Sequence, residues 1–250
     1  AAEVARNSDL MPRWRRTPAG YWDDWREECH LADRIIVNSE WSRQALIQDG
    51  VAPDKLAVVP LMFDASDDRV SLPRQYPEKF DKNRPLRVLF LGSLIIRKGI
   101  AAVFDAVRKL ETQPVEFWFV GSQGVTLPED LRSNKRVHWI GPVRRGETSH
   151  FYNRSDLFLF PTLSDGFGLT QLEAMSHGLP VIASNQCGEV VTDGVHGIVL
   201  QDTNAEQIVV AIRDCLDDPR KMVNWSANVL NRVEDFRPAA IMPRFLAAVE

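Results

Sequence analysis

Short apolar runs alternating with amphipathic helical patterns fill the sequence from residue 86 onward, and this alternation is what most limits the folds open to the chain. Leu86 to Leu91 (LRVLFL), Val115 to Val120 (VEFWFV), Arg136 to Ile140 (RVHWI), Leu157 to Phe160, Pro180 to Ala183 and Ile198 to Leu200 read as strands. Runs that stay apolar on consecutive residues belong to strands covered on both faces. Helical patterns separate most of them, at Glu147 to Tyr152, Leu169 to His177, Ala205 to Leu216 and about Ile100 to Leu110. In the last of these, Ile100, Val103, Phe104, Val107 and Leu110 fall on one face. The pattern predicts an α/β fold with a doubly wound parallel sheet.

Ahead of it, Trp22 to Ala32 is helical, Arg34 to Asn38 (RIIVN) a strand, Ser39 to Ile47 a capped helix and Leu56 to Pro60 (LAVVP) a strand. Two α/β turns are too few for a stable parallel sheet, so Ile35, Val37, Leu56 and Val58 are expected to pack on the larger domain or against another copy of the chain. Asp64 to Pro85 lacks periodicity and reads as a linker. Asp235 to Glu250 reads as a final helix with Pro238 and Pro243 in its way.

With a net charge of −4, the chain has no global positive charge to recruit nucleic acid. Its apolar runs are too short to span a membrane, and AAEVARNSD is no secretory signal. Trp14, Tyr21 and Trp22 beside Arg13, Arg15 and Arg16 could touch anionic lipid, giving a peripheral contact at the inner membrane face, but Asp23, Asp24, Glu27 and Glu28 follow at once. Cys29, Cys187 and Cys215 form no C-x-x-C pair, which fits a reducing cytoplasm better than a disulfide framework. His30, His138, His150, His177 and His196 lack metal-ligand spacing, so neither a metal site nor a cofactor is expected.

Candidate functional residues gather after the strands, where ligands of such sheets bind. They are Gly92, Ser93, Arg97 and Lys98 after the first strand, Gly121 after the second, Gly141 to Val143 after the third, and Asp165 to Leu169 after the fourth. In LSDGFGLTQLEAMSHGLPVIAS, Asp165 and Glu173 bracket a turn with Gly166, Phe167 and Gly168 that leads into a helix. The first amides of a helix have no intrahelical partners and sit at the positive end of its dipole, so those near Gly168, Leu169 and Thr170 could hold a phosphate, with Glu173 accepting from hydroxyls beside it. A plain strand-to-helix turn, with glycine for geometry and Asp165 near an N-cap, would use the same residues.

Together, ADRIIVNSEWSRQAL, Arg97 to Gly99 (RKG), FVG at Phe119 to Gly121, IGPV at Ile140 to Val143, the SDGFGLTQLEAMSHGLPVIAS stretch and DGVHGIVL at Asp193 to Leu200 resemble the retaining GT-B glycosyltransferases of the family 4 type, from about Glu28 to Phe236. The resemblance implies a nucleotide-sugar donor (a UDP-, GDP- or ADP-sugar) in a cleft between two Rossmann-like domains and a hexosyl transfer to an acceptor that the motifs do not name. It divides the chain into the end of an N-terminal acceptor domain (1–64), a linker (65–84), the nucleotide-sugar-binding domain (85–235) and a C-terminal helix (236–250) with a return to the first domain as one option. By motif, Lys98 binds the diphosphate, the amides of Gly168 and Leu169 cradle its distal phosphate, Glu173 holds the ribose hydroxyls, Val143 meets the base through its backbone, and Asp165 touches the donor sugar. Asp165 and Lys98 are the catalytic candidates, and Gly92, Ser93, Arg97, Val143, Gly166, Phe167, Gly168, Leu169, Thr170 and Glu173 complete the donor site. In that family the acceptor attacks on the leaving-group face with no protein nucleophile. Asp165 stands where the family usually has Glu, and Ser93 where it often has Arg, with Arg97 a nearby substitute for the lost charge. These departures keep open a non-catalytic nucleotide-sugar-binding module, and an epimerase or phosphorylase on the same fold is a third reading. Because the resemblance begins late in the acceptor domain, the chain is expected to be an incomplete fragment that binds nucleotide without transferring sugar.

Overall fold

A computed structural model describes residues 2–10, 17–18, 20–64 and 72–250. Helices α1 (Ala2–Arg6) and α2 (Tyr21–Leu31) lead into β1 (Ile35–Val37), α3 (Glu40–Gln48) and β2 (Leu56–Val58). The main body then runs β3 (Leu86–Leu91), α4 (Ile100–Lys109), β4 (Val115–Val120), α5 (Glu129–Arg132), β5 (Val137–Gly141), α6 (Thr148–Arg154), β6 (Leu157–Phe160), α7 (Leu169–Ser176), β7 (Val181–Ser184), β8 (Gly197–Leu200), α8 (Ala205–Asp217) and α9 (Pro219–Glu234). Helix α10 (Pro238–Val249) closes the chain.

Strands β3 to β8 form one parallel six-stranded sheet in the order β5-β4-β3-β6-β7-β8. Successive residues of each strand feed opposite faces, so two cores form. Val88, Phe90, Phe117, Phe119 and Leu159 pack with Ile100, Phe104 and Val107 of α4 and with Ile208 and Ile212 of α8. Leu89, Phe158, Phe160 and Val181 pack with Leu172 and Met175 of α7 and with Val229 and Val233 of α9. All five residues of the apolar face expected on α4 are buried.

Strands β1 and β2 pair in parallel as a separate two-stranded sheet. Leu56 is buried, Ile35, Val37 and Val58 are half-buried, and Val59 at the end of β2 packs on Ile241 and Ala248 of α10. Pro238 does not obstruct α10 but starts it, at the first helical position, where its missing N–H loses no bond; Pro243 lies inside the helix. Residues 72–84 have no regular secondary structure, yet they are held against the main body. Phe80 is 2% exposed in the first core, and Arg84 forms a two-pronged pair with Asp156 at 2.6 and 2.7 Å. The basic aromatic stretch at 11–16 lies outside the described residues, and Tyr21 and Trp22 are exposed at the start of α2. Among the described residues no helix is long and apolar enough to cross a membrane, and no group of three His, Cys, Asp or Glu side chains could hold a metal ion.

Candidate functional site

The strand order reverses direction at β3, from which the chain proceeds outward to β4 and β5 and then returns to place β6 on the other side. The carboxyl ends of β3 and β6 therefore flank a crevice, the usual place for a ligand in a doubly wound sheet. Residues 92–99 follow β3 and residues 161–168 follow β6, and backbone bonds stitch the two loops together. The Leu163 amide donates to Arg97 O at 2.8 Å, and Thr162 Oγ1 donates to the same carbonyl at 3.1 Å. Gly99 permits this approach: at φ 76°, a Cβ there would lie 1.8 Å from the Pro161 carbonyl oxygen.

The stitching brings Lys98 and Asp165 into an ion pair. Arg97 Nη1 lies 3.7 Å from the same Asp165 oxygen and donates to Ser164 O at 2.6 Å. The Lys98 ammonium also stands 4.7 Å from the centre of the Phe160 ring, a cation–π contact. Two cations share one carboxylate, so the crevice keeps an excess of positive charge. Asp165 is fixed from its other side, its amide donating to Gln186 O at 3.0 Å. Ser93, exposed at the end of β3, accepts a bond from Ser122 Oγ at 3.0 Å.

Helix α7 begins at Gly168, held at φ 84° and ψ 67°, with no side chain capping its first amides. A Cβ on Gly168 would strike the Phe160 ring at 2.6 Å, so the helix start and the end of β6 are packed as closely as glycine allows. Gln171, fully buried, donates to Phe167 O at 2.9 Å and holds the turn's shape. Beside it, burial and then the Asp165 charge push the Cys187 thiol up to about 12, so it is no thiolate nucleophile near neutral pH.

Glu173 sits one turn into α7. It makes no hydrogen bond or ion pair with Lys98 or Asp165 among the described residues; its Oε2 accepts from the Tyr152 hydroxyl at 2.9 Å. Glu173 and Tyr152 line a cavity of about 340 Å³ together with Phe63, Arg145, Thr148 and His177. Val143, expected near the base, does not line this cavity; its half-buried side chain packs against the second core. Tyr152 and Arg145 escape sequence reasoning, because an aromatic before a strand reads as core and an arginine in a loop as solvated. A larger cavity of about 610 Å³ lies between α2 and residues 49–55. Its cations are engaged, Arg26 with Asp49 at 2.9 Å and Lys55 with the carbonyls of His30 and Ala32 at 2.8 Å each, so it lacks the excess charge of the crevice.

Comparison with known proteins adds family and fold. Among curated relatives, a 41.2 kDa protein from the cps region of Klebsiella pneumoniae is 24% identical over 71% of this chain and 50% of its own length. The D-inositol 3-phosphate glycosyltransferase of Kineococcus radiotolerans is 25% identical over 92% of this chain and 60% of its own length. The sucrose synthase of Denitrovibrio acetiphilus is 36% identical, over 43% of this chain and only 15% of that protein. The chain thus spans 60% or less of each of these relatives. Solved structures share its fold, among them two with a TM-score of 0.72 each. Anabaena HepE in complex with UDP is 22% identical and aligns over 92% of this chain and 68% of its own; the sucrose-phosphate synthase of Thermosynechococcus elongatus is 20% identical over 94% and 65%. The family described as glycosyl transferases group 1 matches residues 74–232, more than half of the sequence, and the chain belongs to that family.

Proposed function

We propose that the protein to which this chain belongs transfers a sugar, with retention, from a nucleoside-diphosphate donor to an acceptor, and that the crevice between the β3 and β6 loops holds the donor's diphosphate. The observation that carries this reading is the convergence of Lys98, Arg97 and Asp165 beside the uncapped start of α7. When the bond from the sugar carbon to phosphate breaks, its electron pair and negative charge go to the diphosphate, and an ammonium and helix amides aimed at that charge stabilise the transition state. The acceptor hydroxyl oxygen bonds to the sugar carbon on the same face, and its proton passes to the departing phosphate oxygen. The arriving diphosphate draws Lys98 away from Asp165, whose carboxylate then serves the sugar hydroxyls. Glu173 takes the ribose, with the nucleoside in the cavity beside it.

UDP is the first nucleotide to test, because the similarly folded HepE is solved with UDP and with UDP-glucose. A cleft of about 550 Å³ lined by Asn38, Ser42, Val59, Met62, Gly166 and Phe245 opens next to Asp165 and is the proposed approach for the acceptor. Calorimetry with UDP is expected to show Kd raised about 10- to 150-fold in Lys98→Ala and in Glu173→Ala, the loss of one charge-assisted hydrogen bond each. Unchanged affinity in both variants overturns the assignment. A non-catalytic nucleotide-sugar-binding module is the second reading, motivated by the shorter Asp165 and by Ser93. Release of free nucleotide from UDP-sugars by the full-length protein, with and without acceptors, separates the two.

A further inference from the structure

Tyr152 is 1% exposed, and among the described residues its hydroxyl has one partner, Glu173 Oε2 at 2.9 Å. A buried phenol needs such a partner, but this one belongs to the carboxylate that the reading above gives to the ribose. The ring is held in place from several sides. It stacks on the His177 imidazole at 5.2 Å and 15° and meets Phe158 edge-on at 5.9 Å. Below it, the Arg74 guanidinium donates to the carbonyls of Tyr152, Asn153 and Ser155 at the end of α6 and of His177 at the end of α7, at 2.7 to 3.2 Å. One half-buried cation therefore ties together the helix that carries the phenol and the helix that carries the carboxylate.

We propose that Tyr152 is a positioning residue for donor recognition: by occupying Oε2 it fixes the Glu173 carboxylate so that Oε1 is presented to the ribose diol. The inference rests on the assignment of Glu173 to the ribose. Oε1 has no partner among the described residues, whereas a glutamate with both oxygens free would sample several rotamers and lose that freedom on binding. Burial, and then the charge of Glu173, raise the Tyr152 pKa well above the ordinary value, so the phenol remains a donor throughout the neutral range.

The test compares UDP with 2′,3′-dideoxy-UDP, which lacks both hydroxyls, by calorimetry on the whole chain. The unsubstituted protein is expected to prefer UDP. Tyr152→Phe keeps the ring and its packing; it is expected to weaken UDP binding about 5- to 20-fold and to leave dideoxy-UDP binding unchanged, so that the preference collapses. In a Glu173→Ala background the same substitution is expected to change neither affinity. Tyr152→Phe with the preference intact, or with equal loss for both ligands, overturns the positioning role while leaving the nucleotide site standing. No preference for UDP in the unsubstituted protein overturns the ribose assignment, and the positioning role with it.

Discussion

Lys98 and Asp165 neutralise one another only until a stronger anion competes for the ammonium. A diphosphate brings more than one negative charge to a crevice that already holds the Asp165 carboxylate, so under the proposed function Asp165 opposes bare nucleotide even as it serves the sugar. Asp165→Asn keeps the shape and removes the charge. It is expected to tighten UDP binding about 2- to 5-fold, the size of one screened charge pair, while lowering transfer by the full-length protein. Weaker UDP binding in this variant would place the carboxylate on the nucleotide instead. Away from the site, His196 makes the fold sensitive to acid. It is 8% exposed, its Nδ1 accepts from the Thr192 amide at 3.0 Å, and burial followed by the Arg232 charge lowers its pKa below the ordinary 6.5. The unfolded chain binds this proton more readily than the folded one. Its contribution to stability is therefore complete above about pH 6.5 and is lost as the pH falls through the lower folded value. Urea unfolding at pH 7.5 and 5.5 is expected to show the loss in the unsubstituted protein and less of it in His196→Gln.

At the scale of elements, helix α3 is capped from both parts of the chain. Its own Ser39 Oγ accepts from the Ser42 amide at 3.0 Å, while both oxygens of Glu189, from the loop after β7, accept from the Glu40 and Trp41 amides at 3.1 Å each. A carboxylate at a helix start satisfies amides and favours the dipole, so Glu189→Ala is expected to cost about 1 kcal/mol in thermal unfolding, less at high salt. The local half of this arrangement, Ser39 as cap, was legible in the sequence; the distant half was not. The same division runs through the molecule. Strands β3, β4 and β6 could be read to the residue because they are largely apolar on both faces, and α4 to within one residue because its apolar face is continuous. Helix α9 was missed even though Asp218 and Pro219 mark its start, since Met222, Trp225, Val229 and Val233 form a narrow stripe among polar residues. Lys98 and Asp165 could be named separately, but their contact comes from the adjacency of β3 and β6, which no local pattern encodes. Arg74 is hidden most completely, because a segment without periodicity reads as a linker although its guanidinium bonds four carbonyls.

At the scale of the whole molecule, the two sheets are joined by two crossings of the chain that touch each other. The Phe63 amide, leaving the small sheet, donates to the carbonyl of Phe236 at 2.8 Å, where the chain returns. The Phe236 ring is buried 5.7 Å from Phe167 of the candidate site, so the joint between the units rests directly on the turn that starts α7. Beyond Phe236, α10 packs on the chain just after β2, burying Val59, Ile241 and Ala248, and Arg34 Nη1 donates to the Ala248 carbonyl at 2.9 Å. A two-stranded sheet has little stability of its own, so this helix supplies much of what keeps β1 and β2 ordered. Ile241, 1% exposed, is the centre of that contact, and Ile241→Ala is expected to remove about 2–5 kcal/mol from it. The loss should be local. Amide hydrogen exchange is expected to speed up in β1, β2 and α10 while β3, β6 and β7 stay protected, and the Kd for UDP is expected to move less than about 3-fold, because Lys98, Glu173 and Tyr152 all lie on the large sheet's side of the joint. Equal loss of protection in both sheets would mean that the two units unfold as one, and that the small sheet, α10 and the candidate nucleotide site share a single cooperative core.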